Sequence, residues 1–327
     1  IPHEISRSYK RTILHGGEIL ISLVGYPGEA AIVPDSLAGA NIARQAALIR
    51  LNKEKSISAP YVCSFLLSET GKRLLLNETF GSAQQVINLK DINKLVILLP
   101  REEAEQEAIA EALSDADAYI ESLEKLIAKK RLIKQGAMQE LLTGKLRLPG
   151  FSGEWTKSKL SSLCELKSGA GITSKDINPT SGFPCYGGNG LRGFATRYTH
   201  EGAYALIGRV GALCGNIQLV EGRFFASEHT LIVYVSAGVD IGWLSIVLRE
   251  MNLNQYAESS AQPVLTATKL GALEINHPSN SGEQHAIYEI VKAFDEEILM
   301  ISKQLGKAKQ IKQGMMQELL TGRIRLV

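Results

Sequence analysis

The run from Lys134 to Leu148, KQGAMQELLTGKLRL, returns near the other end of the chain as KQGMMQELLTGRIRL from Lys312 to Leu326. The two copies lie about 178 residues apart, and the same offset carries Ser82-Ala83-Gln84 onto Ser260-Ala261-Gln262, Pro100 onto Pro278 and Gln106 onto Gln284. Such a period is far longer than that of a solenoid, so the duplicated unit is a whole domain followed by a helix. Further upstream the register slips: Gly17-Glu-Ile-Leu-Ile-Ser-Leu-Val-Gly25 faces Gly202-Ala-Tyr-Ala-Leu-Ile-Gly-Arg-Val-Gly211, as loop insertions between related domains would produce. Two modules imply two sites.

The repeats carry two helices. From Glu102 to Leu142 there is no proline, and apolar residues fall at Ile109, Leu113, Ala116, Ile120, Leu123 and Ile127, in alternating steps of four and three. That spacing is a coiled-coil seam. The repeat offset lands on Ile287, Val291, Phe294, Ile298, Ile301 and Leu305, the same seam. At 1.5 Å per residue each helix would run roughly 60 Å, too long for a small domain's core. Gly144 and Gly322 sit just past the last apolar pair and suit a left-handed cap. Gly136 and Gly314 interrupt helical sequence at about 1 kcal/mol relative to alanine, which a close helix approach or a kink would explain. Charge sorts along the helices: Glu102, Glu103, Glu105, Glu107, Glu111, Asp115 and Asp117 come first, then Lys125, Lys129, Lys130, Arg131 and Lys134. Compensation of the helix dipole accounts for this ordering. So does an antiparallel pairing, which sets the acidic half of one helix against the basic half of the other.

The chain has 327 residues, of which 45% are hydrophobic, enough for two cores. Its net charge of +2 leaves no large basic excess, so any nucleic-acid binding must use local patches. Cys63, Cys164, Cys185 and Cys214 lie far apart with no Cys-x-x-Cys pair, which argues against a zinc site and a disulfide framework and points to a reducing cytoplasm. No apolar run approaches the ~20 residues of a membrane span. The first residue is isoleucine, and the first module has only Ile1 to Gly16 ahead of its matching strand, against Phe151 to Glu201 in the second. The expectation is a first domain that is N-terminally incomplete.

Glu18–Val24, Ala46–Leu51, Tyr204–Ile207 and Thr230–Val235 read as strands, being short, rich in branched residues and bounded by turn formers. Helical stretches follow around Pro60 to Leu76 and Gly242 to Ala257, then the Ser-x-Gln element and a final strand ending at Pro100 or Pro278. The fold class is therefore α+β: two mixed α/β modules, each followed by a long helix. Glycine turns at Gly169-Ala-Gly171 and Gly187-Gly-Asn-Gly190 match neither a Walker loop nor a dinucleotide fingerprint. There is no His-Glu-x-x-His, no Gly-x-Ser-x-Gly and no Asn/Asp-Pro-Pro-Tyr, and the six histidines are scattered. Catalysis, if associated, belongs to a partner.

Two modules each followed by a helix ending in Met-Gln-Glu-Leu-Leu-Thr-Gly-(Lys/Arg)-(Leu/Ile)-Arg-Leu resemble the specificity subunit of type I restriction-modification systems. The Ser-x-Gln element, the run Pro184-Cys-Tyr-Gly-Gly-Asn-Gly190 and the opening Trp155-x3-Lys159-Leu160 add to the resemblance; the first module lacks the last two. The resemblance implies two pseudo-twofold-related target recognition domains, residues 1–100 and 149–278. Two spacer helices with tails, residues 101–148 and 279–327, would pair as an antiparallel coiled coil. It further implies a non-catalytic, cytoplasmic chain of a phage-defence complex that binds double-stranded DNA with no membrane role. Its partners would be two methyltransferase subunits of adenine specificity and the restriction/translocase subunits. S-adenosylmethionine, ATP and Mg would be used by those partners, with no cofactor and no metal on this chain. Two reading heads on a rigid spacer should read unlike half-sites about one helical turn, roughly 34 Å, apart.

Long polar side chains in loops are the candidate DNA contacts, since Arg and Lys pair with guanine edges or phosphates and Gln or Asn with adenine. They are Arg44, Gln84 and Gln85 in the first module, and Lys167, Tyr186, Asn189, Arg192, Arg197, Arg209, His229 and Gln262 in the second. Each has a structural reading beside the functional one, and Gln84 and Gln262, being repeated, suit phosphate or loop support better than sequence reading. The alternatives are an assembly scaffold with a coiled-coil core that never touches DNA, and a single-chain enzyme fused to its reader, which the missing motifs oppose.

Overall fold

The computed structural model describes residues 9–52, 54–76, 86–180, 182–258 and 263–326. It divides into two compact units, one formed by Ile1–Ala128 with Met300–Val327 and the other by Lys129–Leu299. The long helices α4 (Glu103–Leu141) and α8 (Ser281–Leu319), 39 residues each, contribute to both.

In the first unit, β1 (Ile19–Ser22) is the central strand of an antiparallel sheet between β2 (Ala30–Ile32) and β3 (Ala46–Ile49). Alternation along β1 buries Ile19 and Ile21 on one face, against Ala47, Val62, Cys63, Leu66, Leu75 and Ile87. The helical stretch expected over Pro60 to Leu76 is two helices, α1 (Ala59–Leu67) and α2 (Glu69–Leu76). Ser68 makes the break: its hydroxyl donates to the Phe65 carbonyl at 2.6 Å and accepts from the Gly71 amide at 3.0 Å, ending one helix and starting the next. Gly71 is required there, because a Cβ would sit 2.1 Å from the Phe65 carbonyl oxygen. After α3 (Leu89–Lys94), residues 95–100 form no strand, unlike the expectation. The reason is the lack of a partner: in the second unit the equivalent strand is paired with Trp155–Lys159, and among the described residues nothing takes that role here.

The second unit stacks two sheets. In one, β11 (Ile217–Val220), β10 (Tyr204–Gly208), β13 (Thr230–Val235) and β5 (Cys164–Ser168) lie in that order, all antiparallel. In the other, β6 (Ile177–Asn178), β8 (Gly190–Ala195), β7 (Phe183–Gly187), β12 (Arg223–Ala226) and β9 (His200–Glu201) follow one another, with β12 and β7 parallel. Ala205, Ile207, Leu231 and Val233 face α6 (Ile241–Glu250), which buries Trp243, Leu244 and Leu248. Leu206 and Ile232 face the second sheet and meet Phe224 and Ala226. Both faces of β10 and β13 are thus covered, which explains their almost unbroken apolar sequence. A separate ladder joins β14 (Glu274–Pro278) to β4 (Trp155–Lys159), flanked by the short helices α5 (Leu160–Leu163) and α7 (Ala267–Gly271).

The repeat is visible bond by bond. Gln106 accepts from the amide of Ser58, the N-cap of α1, at 2.9 Å and donates to the Pro100 carbonyl at 2.9 Å. Gln284 accepts from the amide of Asp240, the N-cap of α6, at 2.8 Å and donates to the Pro278 carbonyl at 2.9 Å. Glu105 and Glu283, both buried, take bidentate bonds from Arg325 and Arg147. Within each unit the two long helices run antiparallel. Asp117 and Glu124 of α4 meet Lys312 and Lys309 of α8 in the first, and Lys130 and Lys134 meet Glu297 and Asp295 in the second. Acid therefore faces base on both sides. Of the seam, Ile109, Leu113, Leu123, Ile127, Ile287, Val291 and Ile301 are buried, while Ile120, Phe294, Ile298 and Leu305 are half-buried. Gly144 and Gly322 cap their helices in the left-handed region, with φ of 72° and 73°. At Gly136 and Gly314 a Cβ would meet nothing within 4 Å, so no close approach demands glycine there.

Candidate nucleic-acid interface

Four chain segments of the second unit converge at the ends of β5, β7, β10 and β12. Ala170 donates its amide to Ala226 at 2.9 Å, Glu228 to Ala170 at 3.0 Å, Ser227 to Tyr186 at 2.9 Å and Arg209 to His229 at 3.0 Å. Glycine allows the contact: a Cβ on Gly208 would lie 2.0 Å from the Gly188 carbonyl oxygen, and one on Gly169 would lie 2.2 Å from that of Ser227. The turn Gly187–Gly190, which bears Asn189, is thereby pressed against the backbone that bears Arg209 and His229.

Arg209 is half-buried. Its Nη1 donates to the Ser168 hydroxyl at 2.8 Å, and among the described residues its buried Nε has no acceptor. A guanidinium held by one bond gains from an anionic or carbonyl acceptor at its remaining donors. His229 lies 3.3 Å from the Glu228 carboxylate, whose other oxygen accepts from the Ile172 amide at 3.2 Å. Arg192 lies over Gly187, since a Cβ there would come within 2.4 Å of the Arg192 side chain. Next to this cluster is a surface cavity of about 460 Å³ lined by Asn189, Asn216, Arg249, Asn252 and Asn254, with residues 212–215. Asn254 is committed to structure, its amide donating to the carbonyls of Ala212 and Cys214 at 3.3 and 2.9 Å. Arg249, Asn252 and Asn216 are exposed donors that sequence reasoning missed. The one available signal was Asn252, which turns the chain after α6 with a φ of 47°, where a left-handed residue is needed.

Other candidates have partners of their own. The Tyr186 ring packs edge-on to Phe224 at 6.0 Å between the two sheets. Lys167 pairs with Glu165 at 2.8 Å and lies over the Tyr234 ring at 5.0 Å, and that carboxylate raises its pKa. Arg197 sits over Phe225 at 5.7 Å, on the other face of β12 from Phe224. Gln84, Gln85 and Gln262 lie outside the described residues.

The first unit repeats one backbone bond of this frame with different side chains. Where Arg209 donates to His229 beside the β10–β13 pair, Leu23 donates its amide to the Gln45 carbonyl at 2.8 Å beside the β1–β3 pair. Leu23 thus stands where the second unit has Arg209, Gln45 where it has His229, and Arg44 where it has Glu228. Arg44 and Gln45 are both exposed in the turn before β3.

Comparison with known proteins agrees with this duplicated frame. The chain is 40% identical over 146 residues to the specificity subunit of the type I restriction enzyme EcoprrI of Escherichia coli, a match covering 43% of this chain and 36% of that protein. It is 30% identical over 151 residues to the EcoBI specificity subunit of Escherichia coli, covering 45% and 31%. These matches span about a third of each relative's length. Among solved structures, it shares its fold with the type I restriction-modification S subunit of M. genitalium, with a TM-score of 0.67 at 19% identity over 95% of this chain and 84% of that one. For the HsdS subunit of Thermoanaerobacter tengcongensis the TM-score is 0.51 at 17% identity, over 95% and 82%. The pattern of the type I restriction modification DNA specificity domain matches residues 3–130 and 152–313, most of the sequence, and the chain belongs to that family.

Proposed function

We propose that this chain reads a bipartite target in double-stranded DNA, one half-site per unit, on behalf of modification and restriction subunits that carry the chemistry. One observation supports this above others: the two units share the backbone bond that closes this loop, yet Arg209, His229 and Glu228 of one correspond to Leu23, Gln45 and Arg44 of the other. A scaffold has no use for two unlike sets of donors and acceptors on one frame. A reader of unlike half-sites does.

The tails run the other way, keeping their surface constant. Leu146 and Ile324, at matching positions after the helix caps, are 51% and 52% exposed. A partner present in two copies would dock on such a repeated apolar feature, and two methyltransferase subunits fit. S-adenosylmethionine, ATP and Mg would then act on the partner subunits. Arg209, Asn189 and His229, with Arg249 and Asn252 at the cavity rim, are the proposed contacts of the second half-site, and Arg44 and Gln45 those of the first. Lys167, Arg192 and Arg197 are proposed to approach phosphates.

The test is binding of the full chain, assembled with its modification subunit, to a duplex bearing the motif mapped by methylation sequencing in cells. Over a series of salt concentrations the affinity should fall steeply, because phosphate contacts release counterions. Arg209→Ala should weaken cognate binding by about tenfold or more, the loss of one good base or phosphate contact. Salt-independent behaviour, with no preference for the motif, would instead support the scaffold reading.

A further inference from the structure

The turn that joins β1 to β2 and the turn that joins β10 to β11 match bond for bond. In each, an amide of the first strand donates across the turn, Ser22 to the Glu29 carbonyl at 2.8 Å and Gly208 to that of Asn216 at 2.9 Å. The return bond runs from Gly28 to Ser22 at 2.9 Å and from Gly215 to Gly208 at 2.7 Å. A third runs from Glu29 to Tyr26 at 3.5 Å and from Asn216 to Leu213 at 3.2 Å. Left-handed glycines set the bend in both, Gly25 and Gly28 with φ of 86° and 89°, Gly211 and Gly215 with 93° and 89°. Tyr26 and Leu213 are therefore equivalent, although the second turn is one residue longer.

Both side chains project from the surface: Tyr26 is 84% exposed and Leu213 56%. A lone apolar side chain on a surface is ordinary. Two at one backbone position, unlike in chemistry yet both large, are not. The turns that carry them are also braced. Cys214, next to Leu213, is 1% exposed, and the Asn254 side-chain amide donates to the carbonyls on either side of Leu213, those of Ala212 and Cys214, at 3.3 and 2.9 Å. In the first turn Pro27 fixes φ directly after Tyr26, and the Ser22 hydroxyl donates to the Val24 carbonyl at 3.1 Å. An exposed side chain on a braced turn keeps its place when pressed against a stack of bases. Its neighbours suit that surface: Leu213 shares its cavity with Asn189, Asn216, Arg249 and Asn252, and the first turn is bonded through Leu23 to Gln45, beside Arg44.

We propose that Tyr26 and Leu213 are wedges, each entering a base step of its own half-site and unstacking it while the polar groups beside it hold base edges and backbone. Such wedging rests on the reading of DNA proposed above and adds a deformation of the duplex to it. One apolar tip among polar groups suits the gap between two base pairs, whereas a protein partner would need roughly 800 Å² on each side. The tips also differ from each other, and a partner docked twice would select one residue twice, as the tails do.

The test uses the full chain assembled with its modification subunit, and duplexes of the mapped motif in which 2-aminopurine, whose fluorescence rises on unstacking, replaces one base at a time other than the methylated adenine. Binding should raise the emission several-fold at one step in each half-site. Leu213→Ala should abolish the rise in one half-site and Tyr26→Ala in the other, each weakening cognate binding by about tenfold. The salt dependence should not change, because no phosphate contact is lost. Leu213→Met and Tyr26→Phe should restore both affinity and emission, and melting temperatures should not move, since the side chains are exposed. An unaltered rise in both alanine variants, or a parent complex that prefers the motif yet leaves every probe stacked, overturns the wedges and leaves the bipartite reading standing. A parent complex with no preference for the motif overturns both. Alanine variants that fail to assemble with the modification subunit would make the tips protein contacts, which also overturns the wedges.

Discussion

Cys164 is buried under α6, and burial pushes its thiol up to about 12. Cys63 and Cys185 are raised by the same cause, and Cys214 is buried as well. Thiolate is the reactive form, so none of the four should react with a disulfide reagent at pH 8 in the folded chain, and all four should react after unfolding. A thiol titrating rapidly under native conditions would contradict the packing described. His200, half-buried, is another titratable group with a consequence. It lies within 2.7 Å of both the Tyr234 hydroxyl and Thr199 Oγ1 and stacks on Phe224 at 5.5 Å, and burial lowers its pKa. The unfolded side chain takes up a proton near pH 6.5. Below that value the unfolded state binds more protons than the folded one, so the stability gained from the neutral ring is complete above about 6.5 and is lost as pH falls toward the folded value. Melting temperatures at pH 7.5 and 5.5 should therefore differ more for the parent chain than for His200→Gln; an equal difference would remove His200 as the cause.

The elements show which residues could be read from sequence and which could not. Gln106 and Gln284 were legible as a repeated pair, and their partners explain the repetition: each satisfies an N-cap amide and the carbonyl of the proline that precedes its long helix. Gln284→Leu leaves a buried carbonyl and a partly buried amide unpaired, which should cost about 2 kcal/mol and lower the melting midpoint by about 5 °C in a unit of this size. Gln284→Glu keeps the acceptor and should cost less, a difference that thermal unfolding by circular dichroism would read. The seam of Ile109 to Ile127, the caps at Gly144 and Gly322 and strands β10 and β13 were visible because they rest on local spacing. Residues 95–100 were misread as a strand because strand formation depends on a distant partner, which no local pattern reports. The site was less legible for the same reason. Nothing in the spacing of Tyr186 distinguishes a ring wedged between two sheets from one facing a ligand, and Arg249 and Asn189, 60 residues apart in sequence, share a cavity that no local pattern reports.

At the scale of the whole chain, the first unit is discontinuous, and this makes its stability depend on residues that follow the second. Leu319 and Leu320 are 6% and 1% exposed, packed with Tyr61, Phe65, Ile109 and Leu113. Removing them withdraws about 2 kcal/mol of burial each. Loss of Arg325 also leaves the carboxylate of Glu105 buried without its bidentate partner, a state more costly than an apolar substitute would be. Against a net stability of about 5–15 kcal/mol for a domain, these losses are decisive. A chain ending after Leu299 should therefore lose protease resistance and amide protection across residues 9–128, although none of those residues has been removed. Supplying residues 300–327 as a separate peptide should restore part of that protection, and Arg325→Ala in the peptide should restore less. If the shortened chain kept residues 9–128 protected without help, the first unit would be autonomous, and the second copy of the repeat would have no part in holding the first recognition module.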